Sequence, residues 1–265
     1  MYSIITVLAR GLCSSGLYLD IMSPNRILDQ FSNQYGSFSV EELIYDTRPA
    51  RVLFSGPLHS AQSGLALDGK PRLLFDYNQL LFELVLELNP KSILLLGGGT
   101  LTLPTALIKE LPNTHITTVE MNKDLITTAE KFFDYIPDNK LEIIIDDAEH
   151  FIMKAKPLSY DLIITDLFDS LAIPQKFQTA NFAHHLKRVS KSKGVVVTNC
   201  IAAVSGNGAM PMLKLYAAYL SALGSVRVFK VDQHRYMNWT PQNLLLLAGG
   251  NTRAMLKGVT EISVN

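Results

Sequence analysis

The 265-residue chain is long enough for one large domain, or for one domain with a small appendage, and its 24 Lys and Arg residues balance its 24 Asp and Glu residues. Balanced charge provides no overall field that would attract nucleic acid or an anionic membrane, so neither is predicted as a partner. The two cysteines, Cys13 and Cys200, lie far apart and have no metal-ligand spacing, which favours a reducing compartment and predicts no metal site.

The amino-terminal segment, residues 1–12, is apolar but has no basic leader and is interrupted by Arg10. This pattern predicts neither a signal core nor a membrane span, so we expect a cytoplasmic protein. Two short strand-like runs follow at Arg51–Phe54 and Leu58–Leu67, separated by a Ser-Gly-Pro turn. They predict a small β-hairpin.

A predicted helix links this hairpin to the rest of the chain. Pro71 opens the helix, its apolar residues recur at three- and four-residue steps, and Asn89-Pro90 ends it. The apolar positions are Leu73, Tyr77, Leu80, Leu81, Leu84 and Leu88. The chain is therefore predicted to divide into residues 1–89, a β-hairpin region with a linking helix, and residues 90–265, a nucleotide-binding domain.

Strands and helices alternate beyond residue 90. The predicted strands are 92–96, 115–120, 141–145, 162–166, 194–199, 226–231 and 244–247. Most are continuous Leu, Ile and Val runs, which indicates a parallel sheet covered on both faces. Too few residues separate Val231 from Leu244 for a helical crossover, so the last two strands should be antiparallel. The predicted fold is α/β and Rossmann-like, with a seven-stranded, mostly parallel sheet and a reversed edge strand.

Ligands of open parallel sheets bind beyond the carboxyl ends of the strands. The first strand ends in Gly97, Gly98 and Gly99, followed by Thr100, and the second ends on Glu120. Glycines let the backbone approach a ligand, and an acid at the tip of the next strand can bind two vicinal ribose hydroxyls. This order of elements indicates a nucleoside site. The alternatives are a plain tight turn and an acid that only complements the next helix dipole.

Acidic residues also lie at the carboxyl ends of the third and fourth predicted strands. Asp146 is predicted to cap the next helix, whereas Asp147 could accept a hydrogen bond from an adenine amino group while Ala148 leaves room for the ring. Partial burial would raise the pKa of Asp166 and a nearby cation would lower it, so Asp166 is a candidate base or cation anchor. Asp169, three residues further on, is a second catalytic candidate, and the alternative for both Asp166 and Asp169 is a loop-capping role.

These motifs resemble the spermidine synthase family, polyamine aminopropyltransferases with a class I methyltransferase fold. The resemblance covers most of the chain. It rests on the glycine run with Glu120, on Asp147-Ala148, and on the stretch from Tyr160 through Asp166 to Asp169. Upstream, residues 65–69 resemble the hairpin of the family, and residues 75–77 resemble its substrate-side helix.

The resemblance implies specific roles. Glu120 would hold the ribose and Asp147 the adenine, with the glycines and Thr100 beside the donor. Asp166 would be the base that frees the lone pair of the attacking amine, and Tyr77 would line the acceptor pocket. The implied donor is S-adenosylmethionine or its decarboxylated form, with no metal. The implied acceptor is an amine such as putrescine, and the implied assembly is a homodimer.

One departure concerns the donor. The family usually reads Gly-Gly-Gly-Asp-Gly, whereas this chain has Thr100-Leu101 after the glycines. The missing acid is expected to face the amino group of decarboxylated S-adenosylmethionine. S-adenosylmethionine itself also carries a carboxylate, which an acid would repel and Thr100 would tolerate.

The chain therefore has four candidate functions. Aminopropyl transfer predicts methylthioadenosine as product and an acidic acceptor groove, whereas methyl transfer predicts S-adenosylhomocysteine and needs no such groove. An inactive homologue would bind the nucleotide and yield neither product. A nicotinamide dehydrogenase is disfavoured, because Thr102 stands where that fingerprint needs a third glycine.

Overall fold

The computed structural model describes residues 25–70, 72–169, 172–232, 236–250, 256 and 259–264. The amino-terminal segment and Cys13 lie outside these residues. The strands are β1 (Arg26–Asn33), β2 (Gly36–Tyr45), β3 (Arg48–Ser55), β4 (Ser60–Ala66), β5 (Ser92–Leu96), β6 (His115–Glu120), β7 (Leu141–Ile145), β8 (Tyr160–Thr165), β9 (Ser190–Ala202), β10 (Val226–Lys230), β11 (Gln242–Gly249) and β12 (Thr260–Ile262). The helices are α1 (Asp76–Leu88), α2 (Thr102–Glu110), α3 (Lys123–Phe132), α4 (Ala148–Lys154), α5 (Ala180–Val189) and α6 (Met210–Leu223).

The amino-terminal sheet is larger than the predicted hairpin. It contains β1, β2, β3 and β4 in that order, and every neighbouring pair is antiparallel. The predicted hairpin corresponds to β3 and β4. Strand β2 was not predicted, because Glu41 and Glu42 interrupt its apolar pattern. Glu41 is nevertheless buried, since its carboxylate accepts a hydrogen bond from the Ser39 hydroxyl.

The second sheet confirms the predicted α/β class. Its order is β12-β10-β11-β9-β8-β5-β6-β7, and the pairs among β7, β6, β5, β8 and β9 are parallel. Two details of the prediction were wrong. The described sheet has eight strands, because the three-residue β12 is too short to show a pattern. The reversed strand β11 also lies inside the sheet, antiparallel to both β9 and β10, and β12 forms the edge.

Helix α1 begins five residues later than predicted. Its first residue is Asp76, while Leu73 is extended and forms an antiparallel bridge with Leu65 of β4. Pro71 lies outside the described residues. The predicted end is confirmed, because α1 stops at Leu88 and Asn89 adopts a left-handed conformation with φ 43°. This arrangement places the first turn of α1 between the two sheets.

Both faces of the eight-stranded sheet are covered, as its apolar strands predicted. Alternate strand residues pack into two clusters. One contains Leu94, Ile163 and Val196 with residues of α5 and α6, and the other contains Ile93, Ile164 and Val197 with residues of α1 and α2. None of the helices in the described ranges is long and apolar enough to cross a membrane.

Leu101, between β5 and α2, combines full burial with a left-handed backbone at φ 59°. That conformation costs a non-glycine residue about 1–2 kcal/mol. Leu101→Ala keeps this cost and loses buried surface, so we expect it to lower the free energy of unfolding by about 2–5 kcal/mol. Leu101→Gly also loses the surface but removes the backbone cost, so it should be more stable than Leu101→Ala by about 1 kcal/mol. Urea unfolding midpoints measure this order.

The matched control is Leu107, which is equally buried but lies inside α2. There the order should reverse, because glycine within a helix is about 1 kcal/mol worse than alanine. An alanine variant at position 101 that is as stable as the glycine variant would contradict the proposed backbone cost.

Candidate active site

A cavity of about 340 Å³ opens at the carboxyl ends of the parallel strands, against the amino-terminal sheet. This is the edge of the sheet where the sequence placed the ligand. Its walls come from β2 and β4, from the first turn of α1 and from the ends of β5, β8, β9, β10 and β11. Predicted site residues that line it are Tyr77, Gly97, Gly98, Gly99 and Asp166.

The glycines are required by the local backbone. Gly97 and Gly99 have φ values of 90° and 51°, in the region that favours glycine. A Cβ atom on Gly97 would lie 2.2 Å from the backbone oxygen of Asp166. Thr100 is fully buried, lies outside the cavity lining, and its amide donates to the Ser63 hydroxyl at 3.2 Å. The glycine loop therefore presents backbone, and not the Thr100 side chain, to the cavity.

Glu120 holds the glycine loop in place. One carboxylate oxygen, Oε2, accepts hydrogen bonds from the amides of Gly98 and Gly99 at 3.0 and 2.9 Å. The other oxygen, Oε1, accepts from the amide of Asn122 at 2.9 Å. Burial raises the pKa of Glu120, and these backbone hydrogen bonds act in the opposite direction. Glu120 lies directly behind the loop and is not itself part of the cavity lining.

Two side-chain hydrogen bonds hold the Asp166 carboxylate in the cavity. Its Oδ2 accepts a hydrogen bond from the Tyr77 hydroxyl at 3.0 Å, and its Oδ1 accepts one from Asn199 Nδ2 at 2.9 Å. Asn243 Nδ2 in turn donates to Asn199 Oδ1 at 2.9 Å. Burial raises the pKa of Asp166, whereas the hydrogen bonds from Asn199 and Tyr77 favour its charged form. Burial and the nearby Asp166 charge also raise the pKa of Tyr77.

Three further polar residues that were not predicted also line the cavity: Asn199, Gln242 and Asn243. Asn199 lies next to the apolar run of β9, and Gln242 and Asn243 directly precede the apolar run of β11. That interruption of an apolar run at the strand end is the signal that could have identified them.

The carboxylates that follow β7 have roles different from those predicted. Asp147, and not Asp146, is the N-cap of α4, and its Oδ1 accepts hydrogen bonds from the amides of Glu149 and His150. Asp146 instead pairs with the His150 ring at 2.7 Å. The Oδ2 of Asp147 accepts a hydrogen bond from Lys176 at 2.6 Å. Burial opposes the effect of Lys176, but the pKa of Asp147 is still lowered.

Two further candidates lie away from the cavity. Ala148 is buried in the first turn of α4, and Asp169 is exposed and forms a backbone bridge with Ala172. Neither residue lines the cavity. Their roles, like those of Thr100 and Asp147, stay predictions.

The cavity is acidic although the chain as a whole is neutral. Within the described residues, its lining includes four aspartates, Asp46, Asp76, Asp166 and Asp232. The described lining includes one basic side chain, Arg48, which is paired with Asp68 at 2.9 Å. Low-dielectric walls strengthen a field of one sign, so this cavity suits a cationic ligand.

Aromatic side chains also form part of the cavity wall. The ring of Phe75 stacks on Tyr77 at a centroid distance of 6.0 Å and meets Tyr45 edge-on at 5.8 Å. All three residues line the cavity. Aromatic faces attract cations, so the wall and the carboxylates favour the same class of ligand.

Comparisons with known proteins identify the family of the chain. The spermine/spermidine synthase domain model matches residues 74–204, about half of the chain. The chain belongs to the spermidine-synthase-like family. The matched region of this spermidine-synthase-like protein contains Tyr77, the glycine loop, Glu120, Asp147 and Asp166, whereas β11 lies beyond it.

Individual relatives have low sequence identity to this chain. The polyamine aminopropyltransferase of Vibrio vulnificus (strain CMCP6) is 30% identical over 61% of this chain and 54% of the relative. That of Chromobacterium violaceum is 31% identical over 52% of this chain and 53% of the relative. The chain thus spans about half the length of these two relatives. The crystal structure of a probable spermidine synthase from Corynebacterium glutamicum superposes with a TM-score of 0.70, at 23% identity, over 83% of this chain and 79% of that chain.

Proposed function

We propose that this spermidine-synthase-like protein transfers an aminopropyl group from decarboxylated S-adenosylmethionine to an amine acceptor such as putrescine. The acidic, aromatic-walled cavity beside the glycine loop carries this proposal. Aminopropyl transfer needs a groove for a cationic acceptor, and methyl transfer does not. The match to the spermine/spermidine synthase domain supports the same reaction.

The cavity charge also favours the decarboxylated donor. The side chain of that donor ends in an ammonium group, whereas S-adenosylmethionine adds a carboxylate that the four aspartates would repel. Thr100 does not alter this balance, because its side chain is buried away from the cavity. The proposed placement has the adenosyl group near the glycine loop and Glu120, with the adenine toward Asp147.

Asp166 is the proposed base. It accepts a proton from the ammonium form of the acceptor, so that the neutral amine nitrogen carries a free lone pair. That lone pair forms a bond to the aminopropyl carbon next to the sulfonium. The carbon–sulfur bond breaks, its electron pair stays on sulfur, and neutral methylthioadenosine leaves. Positioning by the cavity supplies much of the remaining rate enhancement.

Product analysis tests the proposal. The purified protein is incubated with putrescine and either donor, and the products are identified by mass spectrometry. We expect spermidine and methylthioadenosine in equal amounts from decarboxylated S-adenosylmethionine. Formation of S-adenosylhomocysteine from S-adenosylmethionine would establish methyl transfer instead, and donor binding without any product would indicate an inactive homologue.

A homodimer and a cytoplasmic location stay predictions.

Tyr77→Phe is expected to shift the pH dependence of the reaction. The Tyr77 hydroxyl stabilises the charged form of Asp166, so its loss should raise the pKa of Asp166 further. A base acts only when deprotonated, so the acidic limb of the kcat/KM profile should move to higher pH. Tyr160→Phe, at the opposite end of β8, is the control. An acidic limb that stays in place or moves to lower pH in Tyr77→Phe would contradict the role of this hydrogen bond.

A further inference from the structure

Three buried hydroxyl groups form a hydrogen-bonded cluster on the face of the eight-stranded sheet that packs against α5 and α6. The Oγ1 atoms of Thr165 and Thr198 lie 2.6 Å apart, and the Tyr219 hydroxyl lies 2.7 Å from Thr198 Oγ1. Each of the three residues is at most 3% exposed. Two residues earlier on the same face of β8 and β9 are the core residues Ile163 and Val196. The hydroxyl cluster is therefore enclosed in apolar surroundings, where polar groups are costly without hydrogen bonds.

The cluster lies directly behind the proposed base. Thr165 and Thr198 are opposite each other at the last paired position of β8 and β9. The next residues along the two strands are Asp166 and Asn199, whose side chains point to the other face of the sheet and line the cavity. There Asn199 Nδ2 donates to Asp166 Oδ1 at 2.9 Å. The spacing of the two threonines thus sets the spacing of Asn199 and Asp166.

Tyr219 connects this position to α6. Burial raises the pKa of Tyr219, so its hydroxyl stays protonated and acts as a hydrogen-bonding group. Tyr219 does not line the cavity and makes no contact with a ligand there. Phenylalanine would fill the same space without burying a polar atom, so the hydroxyl contributes through its hydrogen bonds alone. Those bonds restrict where β9 ends relative to β8.

We propose that Tyr219 is a positioning residue for Asp166: through Thr198 and Thr165 it fixes the ends of β9 and β8, and so keeps Asn199 within hydrogen-bond distance of the Asp166 carboxylate. This inference rests on the proposed function for the role of Asp166 as the base. Tyr219 lies beyond residues 74–204, the region that matches the family domain.

The titration of Asp166 reports on this positioning. The hydrogen bond from Asn199 favours the charged form of Asp166, so weakening it should raise the pKa of Asp166. A Tyr219 variant leaves the other groups in place. Burial raises the pKa of the nearby Cys200 thiol to about 12, so that group is neutral. The charged and titratable residues that line the cavity with Asp166 in the described chain are Tyr45, Asp46, Arg48, Asp76, Tyr77, Asp232 and Tyr236.

An NMR titration of the Asp166 carboxyl carbon tests the inference without requiring turnover. The signal is assigned by its absence from Asp166→Asn. Tyr219→Phe and Thr198→Val should each raise the pKa of Asp166, whereas Thr198→Ser, which retains the hydroxyl, should titrate as the wild type does. Tyr216→Phe, the same change at a half-buried position of α6, is the matched control. An unchanged Asp166 titration in Tyr219→Phe or in Thr198→Val would overturn the inference.

A double-mutant cycle tests whether Tyr219 acts through Asn199. Tyr219→Phe should lower kcat about three- to tenfold, the effect of one hydrogen bond, and leave donor affinity unchanged. In an Asn199→Ala background the same change should have no further effect, because the group through which it acts is gone. Equal losses of kcat in both backgrounds would refute the proposed route.

A triple variant separates positioning from stability. Thr165→Val, Thr198→Val and Tyr219→Phe together remove all three hydroxyls at nearly constant shape, which is expected to be neutral or stabilising for folding. Its Tm should equal or exceed that of the wild type, while its Asp166 titration should be shifted. A lower Tm with a wild-type Asp166 titration would assign the cluster a purely structural role. A shifted titration in a protein that forms neither product of aminopropyl transfer would refute the proposed function and leave this inference standing.

Discussion

Asp166→Asn should lower kcat by about a hundredfold to ten-thousandfold and weaken donor binding much less. Asparagine preserves the size of the side chain and can still accept a hydrogen bond from Asn199, but it cannot remove a proton from the acceptor amine. The proposed donor contacts lie at the glycine loop and at Glu120, and three of the four cavity aspartates remain in this variant, so donor affinity should fall much less than kcat. Steady-state kinetics with calorimetry of donor binding separate the two effects.

A measurement of Tm shows whether Asp166→Asn loses turnover because the base is missing or because the protein is less stable. Burial raises the pKa of Asp166 in the folded protein, so its stabilising contribution is present below the unfolded pKa and is lost as pH rises through the folded pKa. Above the folded pKa this group therefore opposes folding, and Asp166→Asn should have a Tm at or above that of the wild type. Asp29→Asn, in the amino-terminal sheet, is the matched control for both assays. Full turnover by Asp166→Asn would show that Asp166 is not the base.

Glu120→Gln is expected to have the opposite kinetic profile. The Glu120 carboxylate accepts three backbone hydrogen bonds, and the amide group of glutamine would direct donors at one of those amides. The variant also loses the negative charge that would bind the ribose hydroxyls, where each charge-assisted bond is worth about 1.5–3 kcal/mol. Donor affinity should therefore fall about a hundredfold, with a smaller change in kcat at saturating donor.

The control for Glu120→Gln is Glu142→Gln, an exposed position on the neighbouring strand β7. That variant should bind the donor as the wild type does. If Glu120→Gln binds the donor with wild-type affinity, Glu120 serves only to hold the glycine loop. If it lowers kcat without affecting donor affinity, the proposed placement of the adenosyl group is wrong.

The sequence predicted the parallel part of the fold well because burial on both faces leaves a simple pattern. β5, β6 and β7 have the predicted bounds, since each is a short run closed by a turn signal or a carboxylate. The amino-terminal strands were harder, because β2 contains Glu41, whose burial depends on hydrogen bonds from Ser39 and on the His59 ring. Such tertiary partners leave no local pattern in the sequence.

The candidate site, too, was predicted where a local sequence pattern exists and was not predicted where it depends on tertiary contacts. The positions of Gly97, Gly99, Glu120 and Asp166 at strand exits followed from the order of elements alone. The pairing of Asp166 with Tyr77 and Asn199 joins residues from three distant parts of the chain, and no spacing rule predicts it. The capping role of Asp147 depended on where α4 begins, which sequence patterns locate only within a few residues.

The most direct test of the central claim is a calorimetric comparison of the two donors. The acidic cavity predicts that decarboxylated S-adenosylmethionine binds at least about tenfold more tightly than S-adenosylmethionine. Raising the ionic strength should reduce this difference in affinity, because salt screens the charges of the cavity. Equal affinities, or tighter binding of S-adenosylmethionine, would contradict the account.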